Sequence, residues 1–195
     1  MRMLLFAVFL FVFGAQAQII ITEVSPNPVG ASSAIPGDLS HEFIELYNAG
    51  TLPVNLCRYH IKTSSVGSTA EPDSNNLQVW AGDSLRDIGR DSALVYDSLL
   101  QPGAYAVILG RKYVSAPESS WYCIRSGTFV FATRKTYLRS GGLSNSAAVV
   151  RLFSGENSLV STFNSRGSTA MDPGEGFTWH EILQYYYQGV DIRTL

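Results

Sequence analysis

His41-Glu42-Phe43-Ile44-Glu45-Leu46-Tyr47-Asn48 is the stretch from which the rest of the chain can be read. Successive side chains of a strand point to opposite faces, so Ile44 and Leu46 share one side while Phe43, Glu45 and Tyr47 share the other. One side is expected to meet a core and the other a partly wet surface. By the same parity Glu42 and Glu45 face apart, which removes them as a carboxylate pair for acid/base chemistry. Glu42 is expected to accept backbone hydrogen bonds at the start of the strand, because a buried carboxylate needs partners. The same structural role is expected of Glu23 and Asn145.

Outward from this stretch, apolar residues come in short runs rich in Val, Ile, Phe and Tyr, separated by clusters of Gly, Pro, Asn, Asp and Ser. That is the punctuation of an all-β chain. Strands are predicted over residues 19–24, 42–47, 54–63, 77–80, 105–109, 121–125, 128–133, 148–153, 159–164 and 176–182. Residues 105–109 are apolar on both faces and read as a central strand, entered through the Pro102-Gly103 turn. Ser154-Gly155-Glu156-Asn157 is placed as a hairpin connection, and Gly141-Gly142 is a further turn signal. Many short strands with these breaks predict a two-sheet sandwich, with a closed barrel as the structural alternative. The polar stretch 64–91 reads as a long excursion holding at most one strand, near Trp80, and one helical turn over 84–88.

Arg2 precedes an unbroken apolar run from Leu4 to Phe13, and Ala15-Gln16-Ala17 supplies the small residues of a signal-peptidase site. Residues 1–17 are therefore expected to be a secretory signal peptide cleaved before Gln18. The run is about half of the roughly 20 residues that a spanning helix needs, and no second long apolar run follows. Cleavage takes one basic residue with it and moves the formal charge from −2 to −3. With Lys and Arg scattered, neither nucleic acid nor a membrane is an expected partner on charge. Export permits Cys57 and Cys123 to form a disulfide, although geometry alone decides whether they meet. Lying 66 positions apart, with no CxxC, they give no support to a zinc site.

Four segments in order resemble the bacterial lamin-tail domain. Ile19-Ile20-Ile21-Thr22-Glu23-Val24, followed by Pro26-Asn27-Pro28, is similar to that family's opening strand. Residues His41 to Asn48 match its most recognisable stretch, and Pro53-Val54-Asn55-Leu56 its continuation. Gln101-Pro102-Gly103-Ala104-Tyr105 is similar to its Pro-Gly-aromatic strand entry. Gly142-Leu143-Ser144-Asn145-Ser146, with Val149 to Phe153 and Leu159-Val160, resembles its closing turn and hairpin. The resemblance implies an immunoglobulin-like β-sandwich over residues 18–183, and it marks Glu23, Glu42, Phe43, Glu45, Leu46, Asn48, Leu143 and Asn145 as its structural positions. Residues 64–91 and 111–127 look like insertions relative to the family, and loops on a rigid scaffold often carry recognition. The resemblance also implies an attachment or targeting role in an exported protein, with a protein or an envelope polysaccharide as partner.

Other chemistry is weaker in the sequence. His41, His60 and His180 belong to no HExxH or HxH pattern, and GxSxG, P-loop and GxGxxG motifs are absent. A hydrolytic triad assembled from distant residues is a rival that nothing favours. Asp73-Ser74-Asn75-Asn76 has the oxygen-rich look of a calcium loop, but Leu77 stands where a ligand is needed, so a solvated turn is the expectation. No resident cofactor is expected, and calcium held by loop carbonyls is the exception to be tested. Trp80, Trp121, Trp179 and Tyr185-Tyr186-Tyr187 could offer flat rings to sugars or protein partners, with the tyrosines, in the tail 184–195, the best candidates for exposed aromatic surface. A carbohydrate-binding module built on exposed aromatics is therefore the first rival, and a coplanar pair of such rings would favour it. The leading expectation is a secreted or periplasmic, non-catalytic binding module of the cell envelope.

Overall fold

The computed structural model describes residues 18–26, 42–70, 72–81, 94–113, 124–144 and 147–164. Their strands are β1 (Ile19–Ser25), β2 (Phe43–Asn48), β3 (Val54–Asn55), β4 (His60–Ser65), β5 (Asp73–Val79), β6 (Leu99–Leu100), β7 (Tyr105–Leu109), β8 (Phe129–Thr133), β9 (Ala148–Phe153) and β10 (Leu159–Asn164). Eight of these run in the order β1-β2-β7-β8-β5-β4-β9-β10, while β3 and β6 form a separate pair.

The eight strands fold back on themselves as two layers because β5 belongs to both. Its first half, Asp73 to Asn76, pairs with β4, and its last three residues, Leu77 to Val79, pair with β8. One layer is thus β1-β2-β7-β8 and the other β4-β9-β10, each continued by half of β5. Ile21 and Leu46 from the first layer and Ile61, Val150, Leu152 and Phe163 from the second are all buried in one apolar cluster between them. At the far side β1 approaches β10, where the Ile21 N–H donates to Ser161 Oγ at 3.0 Å. The result is the two-sheet sandwich expected from the strand pattern, in the immunoglobulin-like form that the family resemblance implied.

Most neighbours are antiparallel, but β7 and β8 run parallel. Parallel neighbours cannot be joined by a tight turn and need a crossover of a dozen or more residues. That requirement accounts for the length of residues 110–128, which looked like an insertion from the sequence.

Several sequence expectations are corrected. The face of β2 that carries Phe43 and Glu45 was expected to be partly wet, yet Phe43 is 2% and Glu45 5% exposed. A second cluster covers it, made of Phe43, Val107, Leu109, Val130 and Ala132 with Trp80 and Tyr113, and Leu94, Tyr96 and Ile124 pack on its margin. The described ends of both presumed insertions therefore serve packing. The predicted strand over 54–63 is broken by a 3-10 turn at Leu56–Arg58, where the Asn55 side chain accepts from the Cys57 N–H. An Asn side chain that satisfies backbone donors competes in this way with a strand ladder. Residues 73–76, expected as a solvated turn, are the first half of β5, so the described part of the excursion opens on the end of β4 and holds the whole of β5. Residues 124 and 125 are not strand; the rest of the predicted strand 121–125, the strand 176–182 and the helical turn 84–88 lie outside the described residues.

Turn chemistry follows the sequence. Ala104 N–H donates to Gln101 O across Pro102-Gly103, with Gly103 at φ 73°, a backbone region open to glycine at no steric cost. In the β9–β10 hairpin Ser154 N–H donates to Ser158 O, and Asn157 takes φ 59°, which Asn tolerates better than most residues.

Candidate functional site

Glu42, Glu45 and Asn48 of the 42–48 stretch are buried and engaged. Glu42, at 1% exposure just before β2, accepts through Oε1 from the Leu143 N–H at 2.6 Å, joining positions 101 residues apart. The length is that of a charge-assisted hydrogen bond. Glu45 Oε1 accepts from Thr22 Oγ1 at 2.8 Å, on the opposite side of the strand and on a different neighbour. Glu23 lies 3% exposed where a bulge shifts the β1–β2 register. Asn48, fully buried, donates through Nδ2 to Leu52 O at 2.9 Å and Leu100 O at 3.0 Å, while its Oδ1 accepts from Gly50 N–H at 3.0 Å. One side chain thereby shapes the turn after β2 and ties it to β6. Phe43, Leu46 and Leu143 are buried apolar residues. Asn145 lies outside the described residues.

The run that looked like a calcium loop is tied into the sheet. The Asp73 carboxylate pairs with the Lys135 ammonium and accepts from the Ser140 N–H and Oγ, both at 2.9 Å. Asn75, 3% exposed, donates to Leu138 O at 3.3 Å. Partial burial works against the charged form of Asp73, but the Lys135 and Ser140 hydrogen bonds and the Lys135 charge outweigh it and hold the carboxyl below its usual range. Since the folded carboxyl is depressed, its contribution to stability is present above the unfolded value, about pH 4, and is lost as pH falls through the folded one. Urea unfolding of Asp73→Asn should therefore show a deficit against the parent at pH 7 that closes toward pH 3. An equal deficit at both pH values would mean that the ionised form is not what the site stabilises.

Cys57 sits exposed in the 3-10 turn with a free thiol, and Cys123 lies outside the described residues. His60 is half-buried on β4, whereas His41 and His180 are outside them. Among the described residues no group of three His, Cys, Asp or Glu side chains is placed to hold a metal ion, and no helix is long and apolar enough to cross a membrane. Trp80 is buried in the second cluster, and Trp121, Trp179 and Tyr185 to Tyr187 lie outside the described residues. An aromatic pair that sequence reading missed is Tyr47 and Tyr105, cross-strand partners whose ring centroids are 4.8 Å apart. Their planes are inclined by 39°, so they form no flat platform of the kind that would favour sugar stacking.

The outer face of β5, β4, β9 and β10 carries a row of polar and cationic side chains, although Val149 and Thr162 on it are buried. Lys62 stands opposite Ser74 on one side and Arg151 on the other, and Arg151 stands opposite Thr162. In the next row His60 lies between Asn76 and Phe153. The His60 and Phe153 rings stack at 5.3 Å and 11°, and Lys62 Nζ sits 4.6 Å from the Phe153 centroid. Partial burial, and secondarily the Lys62 charge, push His60 below the ordinary imidazole range. Two open depressions flank these rows. One, of about 380 Å³, is lined by Arg58, His60, Ser74, Asn76 and Asn157, and the other, of about 390 Å³, by Ser64, Ser68, Thr69, Arg151 and Asn164 among others.

Fold and site together define an immunoglobulin-like β-module whose motif carboxylates and amide hold strands and turns in place. The family profile of the Lamin Tail Domain matches residues 14–169, and the chain belongs to that family. Among curated proteins none matches the chain.

Proposed function

We propose that the protein is an exported, non-catalytic attachment module of the cell envelope, secreted or periplasmic, that holds a protein or polysaccharide partner. The observation that carries this reading is the commitment of Glu42, Glu45 and Asn48 to buried hydrogen bonds. Among the described residues of the recognisable stretch these are the side chains to which chemistry could have been assigned, and they work on the fold instead. What is left for function is surface, and β-sandwiches of many kinds present surfaces to partners. The apolar run and Ala15-Gln16-Ala17 support export.

The test has two parts. Mass spectrometry of the protein recovered from outside the cytoplasm of its own source should give an amino terminus at Gln18. The purified protein should then be retained by a detergent-free envelope and polysaccharide fraction, with and without calcium. A full-length amino terminus in the cytoplasm would end the export reading, and absence of retention under both conditions would end the attachment reading. Dependence of retention on calcium would assign the ion to the interface.

A further inference from the structure

We propose that the outer face of β5-β4-β9-β10 binds a linear acidic polysaccharide, its carboxylate or sulfate groups on Lys62 and Arg151 and its hydroxyls in the two polar depressions. This rests on the attachment reading and gives its partner a chemistry. The argument begins with a local conflict. Lys62 and Arg151 are direct cross-strand partners on one face, and like charges so placed oppose pairing. Neither has a carboxylate partner among the described residues. Among the described outward positions of these four strands none is acidic, while the Asp73 carboxylate is spent on Lys135 and Ser140. Exposed Arg58 adds a further cation beside His60 at one end. A chain that is acidic overall thus concentrates on one sheet face cations that have no carboxylate partner among the described residues.

Lys62 is also held in place. Phe153 carries the Lys62 ammonium over its ring and stacks with His60, so part of the side-chain entropy that binding costs is already lost in the free protein. The two depressions lie toward opposite ends of the strands, one at the His60 end of β4 and the other at Ser64 and Ser65. Their linings of hydroxyl, amide and guanidinium groups suit sugar hydroxyls and acidic substituents. Nucleic acid fits less well, since Phe153 is already engaged by His60 and Lys62 and offers bases no free stacking platform.

The test is isothermal titration of the purified full chain with oligogalacturonate, neutral dextran and duplex DNA, each at low and at physiological salt. Binding of oligogalacturonate that weakens with salt, with dextran unbound and DNA weaker, is the expected result. Lys62→Gln and Arg151→Gln should each weaken it by about fivefold, and the double variant further, while Arg125→Gln at a distant turn leaves it within about twofold. The thermal midpoint of the Lys62→Gln, Arg151→Gln protein should equal or exceed that of the parent, since a like-charge pair is gone, and this separates lost binding from lost folding. Equal binding of dextran, tighter binding of DNA, no binding of oligogalacturonate, or full binding by the folded double variant would each overturn the assignment. Retention on the envelope fraction without oligogalacturonate binding sinks this inference alone. Oligogalacturonate binding without envelope retention sinks the attachment reading instead.

Discussion

Leu46→Asp will abolish the cooperative unfolding transition of this protein. Leu46 is fully buried between the two layers, paired in register with Ile21 of β1 and Ala106 of β7. Truncating such a leucine costs about 2–5 kcal/mol from lost transfer energy and the cavity left behind. A carboxylate at the same point adds its desolvation, because the apolar cluster around it provides no partner for a charge. A protein's total stability is about 5–15 kcal/mol, so the sum takes most or all of it. Far-UV circular dichroism on heating, or urea titration, should show a featureless slope for this variant. Leu46→Met, which conserves volume and apolarity, should cost less than about 1.5 kcal/mol and keep a sharp transition. A normal melt for Leu46→Asp would mean that Leu46 faces away from the core.

How far the sequence carries is visible in the same strand. Alternation in Phe43-Ile44-Glu45-Leu46-Tyr47 places Ile44 and Leu46 in the inter-layer core, where both are fully buried. It misreads the opposite face, because the residues that cover Phe43 come from elsewhere in the chain: Trp80, Val107 and Tyr113. A covering of that kind depends on where connections travel, which no local pattern encodes. The same cause hides β5. Asp73, Ser74, Asn75 and Asn76 have poor strand propensity, and they become strand because β4 lies alongside and Lys135, Ser140 and Leu138 satisfy their side chains. Strand entries and hairpins marked by Pro102-Gly103 and by Ser154 to Asn157 were legible because local backbone geometry is what those residues specify. The basic face was not legible, since Lys62 and Arg151 are 89 positions apart and only the register of β4 on β9 makes them neighbours.

With both faces of β2 largely buried, hydrophobic pattern alone fixes its register less firmly than in a strand with one wet face. Polar side chains with single available partners supply the missing specification, and Glu42 is the clearest of them. Glu42→Ala should lower stability by about 2–4 kcal/mol. It removes a hydrogen bond to a charged acceptor and leaves the buried Leu143 N–H without its partner, and each of these costs about 1–3 kcal/mol. Glu42→Gln keeps an oxygen at the same reach and should recover roughly half of the loss, the remainder being the charge assistance. In urea the midpoint should fall with an unchanged slope, since the surface exposed on unfolding is the same. Limited proteolysis of Glu42→Ala should cut first within residues 139–144, because the strand end that holds this segment has let go while the core remains closed. Oligogalacturonate affinity should be unchanged in both variants, as Glu42 lies on no part of the basic face. A Glu42→Ala protein as stable as the parent would show that the Glu42–Leu143 bond is incidental to the fold. Unaltered stability with lost binding would move Glu42 from the scaffold to the recognition surface.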